Sequence, residues 1–169
     1  MMKAMHYALA IASLSVATNP ASASAPADCP LANIERQTEL HKFLSLRAIE
    51  IVRLATSGDR KRLAKWITPT ARFNLGGGDV GRPLGAGIQG AETLAAMMNA
   101  DTYRYLGWDY MNGPAMPCAS QKVTVEFVDS QGKAVSQVQF TFMGGRLTDA
   151  SGWQRSFEEG ALIAAHPSH

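Results

Sequence analysis

The stretch Ala55-Thr56-Ser57-Gly58-Asp59-Arg60-Lys61-Arg62-Leu63-Ala64-Lys65-Trp66-Ile67 contains a helix end, a corner and a second helix start. Glycine readily takes the left-handed conformation that ends helices, so Gly58 is a stop. Asp59 is placed to accept a hydrogen bond from an amide of the turn that follows. Before the corner, Leu40, Leu44, Arg47, Ile51 and Leu54 recur at helical spacing, and Phe43, Ala48, Val52 and Ala55 widen the stripe. This pattern predicts one long amphipathic helix from Ala32 to Thr56. Beyond the corner it predicts a short helix from Arg60 to Ile67, with Leu63, Trp66 and Ile67 inward and Pro69 closing it. Arg60, Lys61, Arg62 and Lys65 read as its solvated face.

Further along, Thr70 to Leu75 is a predicted strand with Ala71, Phe73 and Leu75 on one side. Gly76 to Gly90 holds seven of the fifteen glycines and reads as a long loop, a lid with Asp79 and Arg82 as its polar contacts. A third helix is expected from Ala91 to Asn99, with Leu94, Met97 and Met98 apolar. From Thr102 onward the period becomes two: Tyr103 and Tyr105, then Val123, Val125 and Phe127, then Val138, Phe140 and Phe142, with a last run inside Arg146 to Phe157. Asp129-Ser130-Gln131-Gly132 and Gly144-Gly145 are the turns between them. Helices followed by a four-stranded antiparallel meander make an α+β fold, with helices on one face of a curved sheet.

Composition narrows the function classes. Of 169 residues, 46% are hydrophobic and 18% charged, with a net charge of +2. That balance fits one globular domain and excludes extensive disorder. It lacks the concentrated basic stripe of a nucleic-acid binder, so no such partner is expected. Met1 to Tyr7 with Lys3, the apolar run Ala8 to Ala17 and Ala21-Ser22-Ala23 have the three parts of a secretory signal. Ten apolar residues rise only about 15 Å as a helix, half a bilayer core, so a membrane anchor is not expected. Asp28 before Cys29 argues against a lipoprotein. Residues 1–23 are therefore read as a leader, 24–31 as a linker, 32–160 as the domain and 161–169, with His166 and His169, as a tail. Without the leader the chain is an essentially neutral exported domain of 146 residues. In an oxidising compartment Cys29 and Cys118 are expected to pair.

The order of these features, Ala55-Thr56-Ser57-Gly58-Asp59, Leu63-Ala64-Lys65-Trp66-Ile67, Pro69-Thr70-Ala71-Arg72-Phe73, Gly87-Ile88-Gln89-Gly90-Ala91-Glu92, then Phe140-Thr141-Phe142 with Gly145-Arg146-Leu147, resembles the NTF2-like (SnoaL-like, ketosteroid-isomerase-like) cone fold. The resemblance covers about Leu31 to Gly160. It implies three helices packed on a curved antiparallel sheet, with an apolar pocket between the sheet and the long helix. Leu44, Arg47, Ile51, Trp66 and Phe73 would line that pocket, with Leu75, Trp108, Val138 and Phe140. Aligned on Gly58-Asp59, the oxyanion-stabilising tyrosine of ketosteroid isomerases falls at Ile51, the general-base aspartate near Leu75 and the second oxyanion-hole acid near Val138. All three are aliphatic, and proton abstraction beside a carbonyl needs a base and an oxyanion donor.

Other groups could still act. Arg47 either snorkels at the rim or holds an anionic ligand. His41 is the one histidine inside the predicted fold and a candidate acid or base. Trp108-Asp109-Tyr110, following Tyr103 and Tyr105, form either a pocket wall with a general base or an outer face for dimer packing. Trp66 and Trp153 read as core anchors. Two G-x-G-x-x-G matches, Gly76 to Gly81 and Gly85 to Gly90, lack the βαβ context of a nucleotide site. No histidine and cysteine cluster suits a metal, no G-x-S-x-G elbow is present, and no cofactor is expected. The leading expectation is an exported homodimer that binds a small apolar or amphipathic ligand in its cone. The alternative is a cyclase, dehydratase or hydrolase using His41, Asp109 or Asp79 as acid or base and Tyr103 or Tyr105 as donor. A third is a protein-interaction module presenting its sheet to a different partner.

Overall fold

The computed structural model describes residues 29–77, 80–98, 102–106 and 114–154. Helix α1 (Gln37–Ser57) ends at Gly58, whose φ of 71° lets its N–H donate to the carbonyls of Ala55 and Leu54. The Asp59 amide then bonds the Leu54 carbonyl at 3.0 Å. Asp59 Oδ1 accepts from the Arg62 amide at 3.1 Å and starts α2 (Arg60–Trp66). The corner read from the sequence is therefore formed by the residues that signalled it.

The long helix begins at Gln37 rather than Ala32, because residues 29–36 are used differently. Leu31 to Asn33 form a turn, the Glu35 carbonyl accepts from the Ala115 amide at 2.8 Å, and Arg36 bridges to Pro114. Cys29 is disulfide-bonded to Cys118, 89 residues away, with Cα atoms 5.7 Å apart. Together these contacts strap the segment ahead of α1 to the segment ahead of β4.

Ile67 is not helical but opens β1 (Ile67–Gly77), which contains Pro69 as well as the expected Thr70 to Leu75. A residue before proline is pushed to extended backbone, so Thr68 cannot continue α2. Pro69 falls between Ile67, which pairs with Leu147, and Arg72, which pairs with Asp149, so no ladder bond is lost there. The largest departure is at the glycine-rich stretch. Instead of a loop or lid it forms strand β2 (Val80–Ala86), and α3 (Gly87–Met98) starts four residues before Ala91. β2 pairs only with β1, so it is an edge strand, and Pro83 is tolerated there. Asp79 lies outside the described residues.

Strands β3 (Thr102–Leu106), β4 (Gln121–Val128), β5 (Ala134–Met143) and β6 (Arg146–Gln154) form the expected antiparallel meander. They do not stand alone. β1 pairs parallel with β6, and the result is one mixed six-stranded sheet in the order β2-β1-β6-β5-β4-β3. Register shifts at Phe73/Asn74, Phe127/Val128 and Thr141/Phe142 are the kind that bend strands. α1 packs against β4 and α3, while α3 packs on β1 and β2. The fold is α+β, with three helices against a largely antiparallel sheet, the architecture that the cone resemblance implies.

Leu40, Leu44, Ala48, Ile51 and Leu54 on α1 are each at most 1% exposed. Full burial of a leucine or isoleucine contributes roughly 1.5–3 kcal/mol, so this stripe anchors α1. Trp153, expected in the core, is 49% exposed, because on β6 Ala150 and Gly152 alternate inward and Trp153 faces out. No helix among the described residues is long and apolar enough to cross a membrane.

Two measurements check this account. Replacing Cys29 and Cys118 by serine should keep the fold and lower its stability by about 4 kcal/mol in urea denaturation, from the chain entropy of so long a loop. Gly90 has no space for a side chain: a Cβ would sit 2.6 Å from the Phe73 ring and 2.8 Å from the Gly85 backbone. Gly90→Ala should therefore cost about 2–3 kcal/mol. Gly81→Ala, with nothing within 4 Å of the added carbon, should stay within about 0.5 kcal/mol.

Candidate functional site

The inner face of the sheet is built by alternation. Phe73 and Leu75 on β1, Val123, Val125 and Phe127 on β4, and Val138, Phe140 and Phe142 on β5 are all buried under α1 and α3. Phe127 and Phe140 meet edge to face with centroids 6.3 Å apart. Leu44, Ile51, Phe73, Leu75, Val138 and Phe140, the apolar residues expected around the cone, belong to this one cluster. Ile51, Leu75 and Val138, the positions that the sequence resemblance sets against the isomerases' polar groups, are 1%, 2% and 0% exposed. Carbon at all three positions supplies neither base nor oxyanion donor.

Arg47 and Trp66 lie at the outer edge of this cluster. The Arg47 guanidinium carbon is 3.1 Å from the Trp66 ring centroid and 4.9 Å from that of Phe43. A cation over aromatic faces is held by the ring quadrupoles. Partial burial pushes the Arg47 pKa down, and Glu50 opposes that shift. Glu50 is held below the usual carboxylate range, chiefly by its hydrogen bond from Arg53, 2.7 Å away, with Arg62 Nη2 at 2.9 Å adding to it. Arg47 is thus half-buried between two aromatic rings at the edge of the cluster.

His41 is 6% exposed and belongs to a compact polar group at the start of α1. Gln121 Oε1 accepts from Gln37 Nε2 at 2.7 Å and lies 3.3 Å from His41 Nε2, while Gln121 Nε2 donates to the Met116 carbonyl at 2.9 Å. Because that carbonyl fixes the amide orientation, Oε1 faces the histidine, and His41 Nε2 is the donor. That nitrogen is engaged and carries its proton. Gln121 was not singled out in the sequence, yet it shares the inward alternation of Val123, Val125 and Phe127, which marks it as a buried polar residue.

A second polar residue on the inner face was also missed. Ser136 is 0% exposed, and its Oγ has no hydrogen-bond partner among the described residues. It precedes Val138 by two and shares its face. Tyr103 and Tyr105 lie opposite Phe127 and Val125 in the β3–β4 ladder. Trp108, Asp109 and Asp79 fall outside the described residues, so His41 is not brought together with either aspartate among those that are. A cleft of about 270 Å³ opens elsewhere, between α2, β1 and the start of α3, lined by Ala64, Ile67, Thr68, Pro69, Ala86, Gly87 and Ile88. It carries no titratable side chain and none of the expected site residues. Among the described residues, no group of three histidine, cysteine, aspartate or glutamate side chains is placed to hold a metal ion.

No protein-family model and no curated protein matches the sequence. Solved structures do resemble the chain. A SnoaL-like family protein from Agrobacterium tumefaciens is 15% identical, with 69% of this chain and 97% of that one covered at a TM-score of 0.41. An NTF2-like protein with a cystatin-like fold from Novosphingobium aromaticivorans is 16% identical, with 76% and 90% covered at 0.36. A de novo designed protein with a curved β-sheet is 17% identical, with 68% and 87% covered at 0.41. No residue role is carried across at these values.

Gln121 is the hub of the polar group, and its loss is measurable. Gln121→Leu should leave Gln37, His41 and the Met116 carbonyl without their partner and lower stability by about 2–3 kcal/mol in urea denaturation. Lys122→Leu, on the exposed neighbouring position, should change it by less than about 0.5 kcal/mol.

Proposed function

We propose that this chain is an exported domain that binds a small apolar or amphipathic ligand within its cone, as a homodimer associated through the outer face of its sheet. The observation that carries the reading is the aliphatic identity of Ile51, Leu75 and Val138, each buried on the inner surface where acid–base chemistry would need polar groups. An apolar chamber with few polar groups is the usual form of a small-molecule site.

Export is supported by the leader-like pattern of residues 1–23 and by the Cys29–Cys118 bridge, which persists in oxidising compartments. The dimer face would consist of outward side chains of β5, β6 and β1. Gln137, Gln139 and Ser151 are among them, with Arg72 3.5 Å from Asp149 and Trp153 half exposed. A polar face with one aromatic anchor suits an interface between identical copies.

Native mass spectrometry of the protein purified from its own compartment should reveal a retained neutral small molecule and a two-chain mass. Protein that is ligand-free on repeated preparation and turns over a substrate would overturn the binding reading. A monomer in size-exclusion chromatography at micromolar concentration would remove the dimer.

A further inference from the structure

The cleft between α2, β1 and the start of α3 is separate from the inner face of the sheet. Its side chains are carbon apart from the Thr68 hydroxyl. Its volume of about 270 Å³ is that of about nine water molecules, room for a ligand with about as many non-hydrogen atoms. Fixed contacts surround it. Gly87, with a φ of 58°, starts α3 directly against β1, where a Cβ would sit 2.8 Å from the Pro69 carbonyl oxygen. At one end Arg60, a turn before Ala64 on α2, donates to both carboxylate oxygens of Glu92, a turn beyond Ile88 on α3, at 2.7 and 2.8 Å. From β6, Arg146 Nη2 donates to the Ile67 carbonyl at 2.7 Å and the Ala64 carbonyl at 3.3 Å. Both of those acceptors belong to residues of the cleft wall.

The charges around this cleft do not balance. The Glu92 carboxylate is already neutralised by Arg60. Lys61 precedes Ala64 by three residues and so neighbours it on the helix surface. Neither Lys61 nor Arg146 takes part in the ion pairs among the described residues, and both are exposed. Arg146 is committed to the two carbonyls through Nη2, which leaves Nε–H and the Nη1 hydrogens as donors. Capping the end of α2 accounts for where this guanidinium sits, but carbonyls do not neutralise its charge. A cationic group brought here would be repelled. A carboxylate would gain a charge-assisted hydrogen bond, while its apolar body left water for the carbon of the cleft.

We infer that this cleft is a second binding site, for a small amphiphilic anion whose apolar body fills the cleft and whose single carboxylate is held at its edge by Arg146. Lys61 adds to the positive field there and steers the anion without fixing it. The site is independent of the cone. Its ligand differs in charge from the neutral molecule proposed for the interior, and neither reading requires the other.

The test uses the disulfide-bonded protein and two isosteric pairs of probes, octanoate against octanamide and 4-methylbenzoate against 4-methylbenzamide. Each pair exchanges a carboxylate for a neutral amide at nearly constant shape. Calorimetric titration at neutral pH and low salt should give at least one carboxylate a Kd below about 1 mM, about tenfold tighter than its amide. Arg146→Gln keeps a donor for the wall carbonyls and removes the charge, so it should weaken that carboxylate about tenfold, to the level of the amide. Ala64→Phe and Ala86→Phe add a ring at exposed positions on opposite walls. Each should abolish binding of both members while moving the melting temperature by less than about 4 °C. If no carboxylate binds, or binding survives both phenylalanine variants, the site is overturned. If the carboxylate preference survives Arg146→Gln, or that variant weakens both members equally, the role of Arg146 is overturned. The retained neutral ligand sought by native mass spectrometry is untouched by these outcomes, so the cone reading stands or falls separately.

Discussion

The parallel ladder between β1 and β6 is the constraint on which the rest of the structure depends. It joins the N-terminal helices and their hairpin to the C-terminal meander, pairing Phe73 with Ala150 and Leu75 with Gly152. Without it β1 and β2 would be an isolated hairpin, which is marginal in water. With it, Phe73 and Leu75 continue the inner face that Val138 and Phe140 begin, and α1 and α3 share one surface to cover. The strand ends need clearance for this. α3 reaches β1 only because Gly90 lets its backbone pass against Gly85 and the Phe73 ring. The disulfide ties the two halves again from the opposite side, through segments that carry no regular structure.

Local signals in the sequence were strongest where one residue has one job. Gly58 and Asp59 give the corner, and the alternations at Val123, Val138 and their neighbours give β4 and β5, because these rules depend on adjacent residues only. The misread segments are those set by distant partners. Val80 to Ala86 contains Gly81, Pro83 and Gly85, which locally favour a turn, and it becomes a strand because β1 offers an edge to pair with. Residues 32–36 continue an acceptable helical pattern, yet they are held by Ala115, Pro114 and the bridge to Cys118. Trp153 shows the same limit at a single residue. Tryptophan is ordinarily a core anchor, but the register of β6 against β5 places Gly152 inward and leaves the indole outside.

The inner face was legible in its carbon and not in its polar atoms. Alternation identifies Leu75, Val138 and Phe140 as inward because hydrophobicity itself carries the signal. The same alternation passes through Gln121 and Ser136, but a polar residue in phase reads as an interruption. Only the three-dimensional partners distinguish them: three groups converge on Gln121, and none of those described reaches Ser136. Arg47 was ambiguous for the opposite reason. Its place on the apolar stripe was visible, while the flanking rings of Phe43 and Trp66 that account for it come from two helices.

An apolar interior also changes the value of the few polar groups it retains. In a low-dielectric surrounding a hydrogen bond is stronger than in water, and an unmade one is correspondingly more unfavourable. Gln121 meets that cost inside the protein, with Gln37, His41 and the Met116 carbonyl as its partners. Ser136 Oγ finds none among the described residues, so the same sheet face carries one polar group that stabilises its surroundings and one that opposes them.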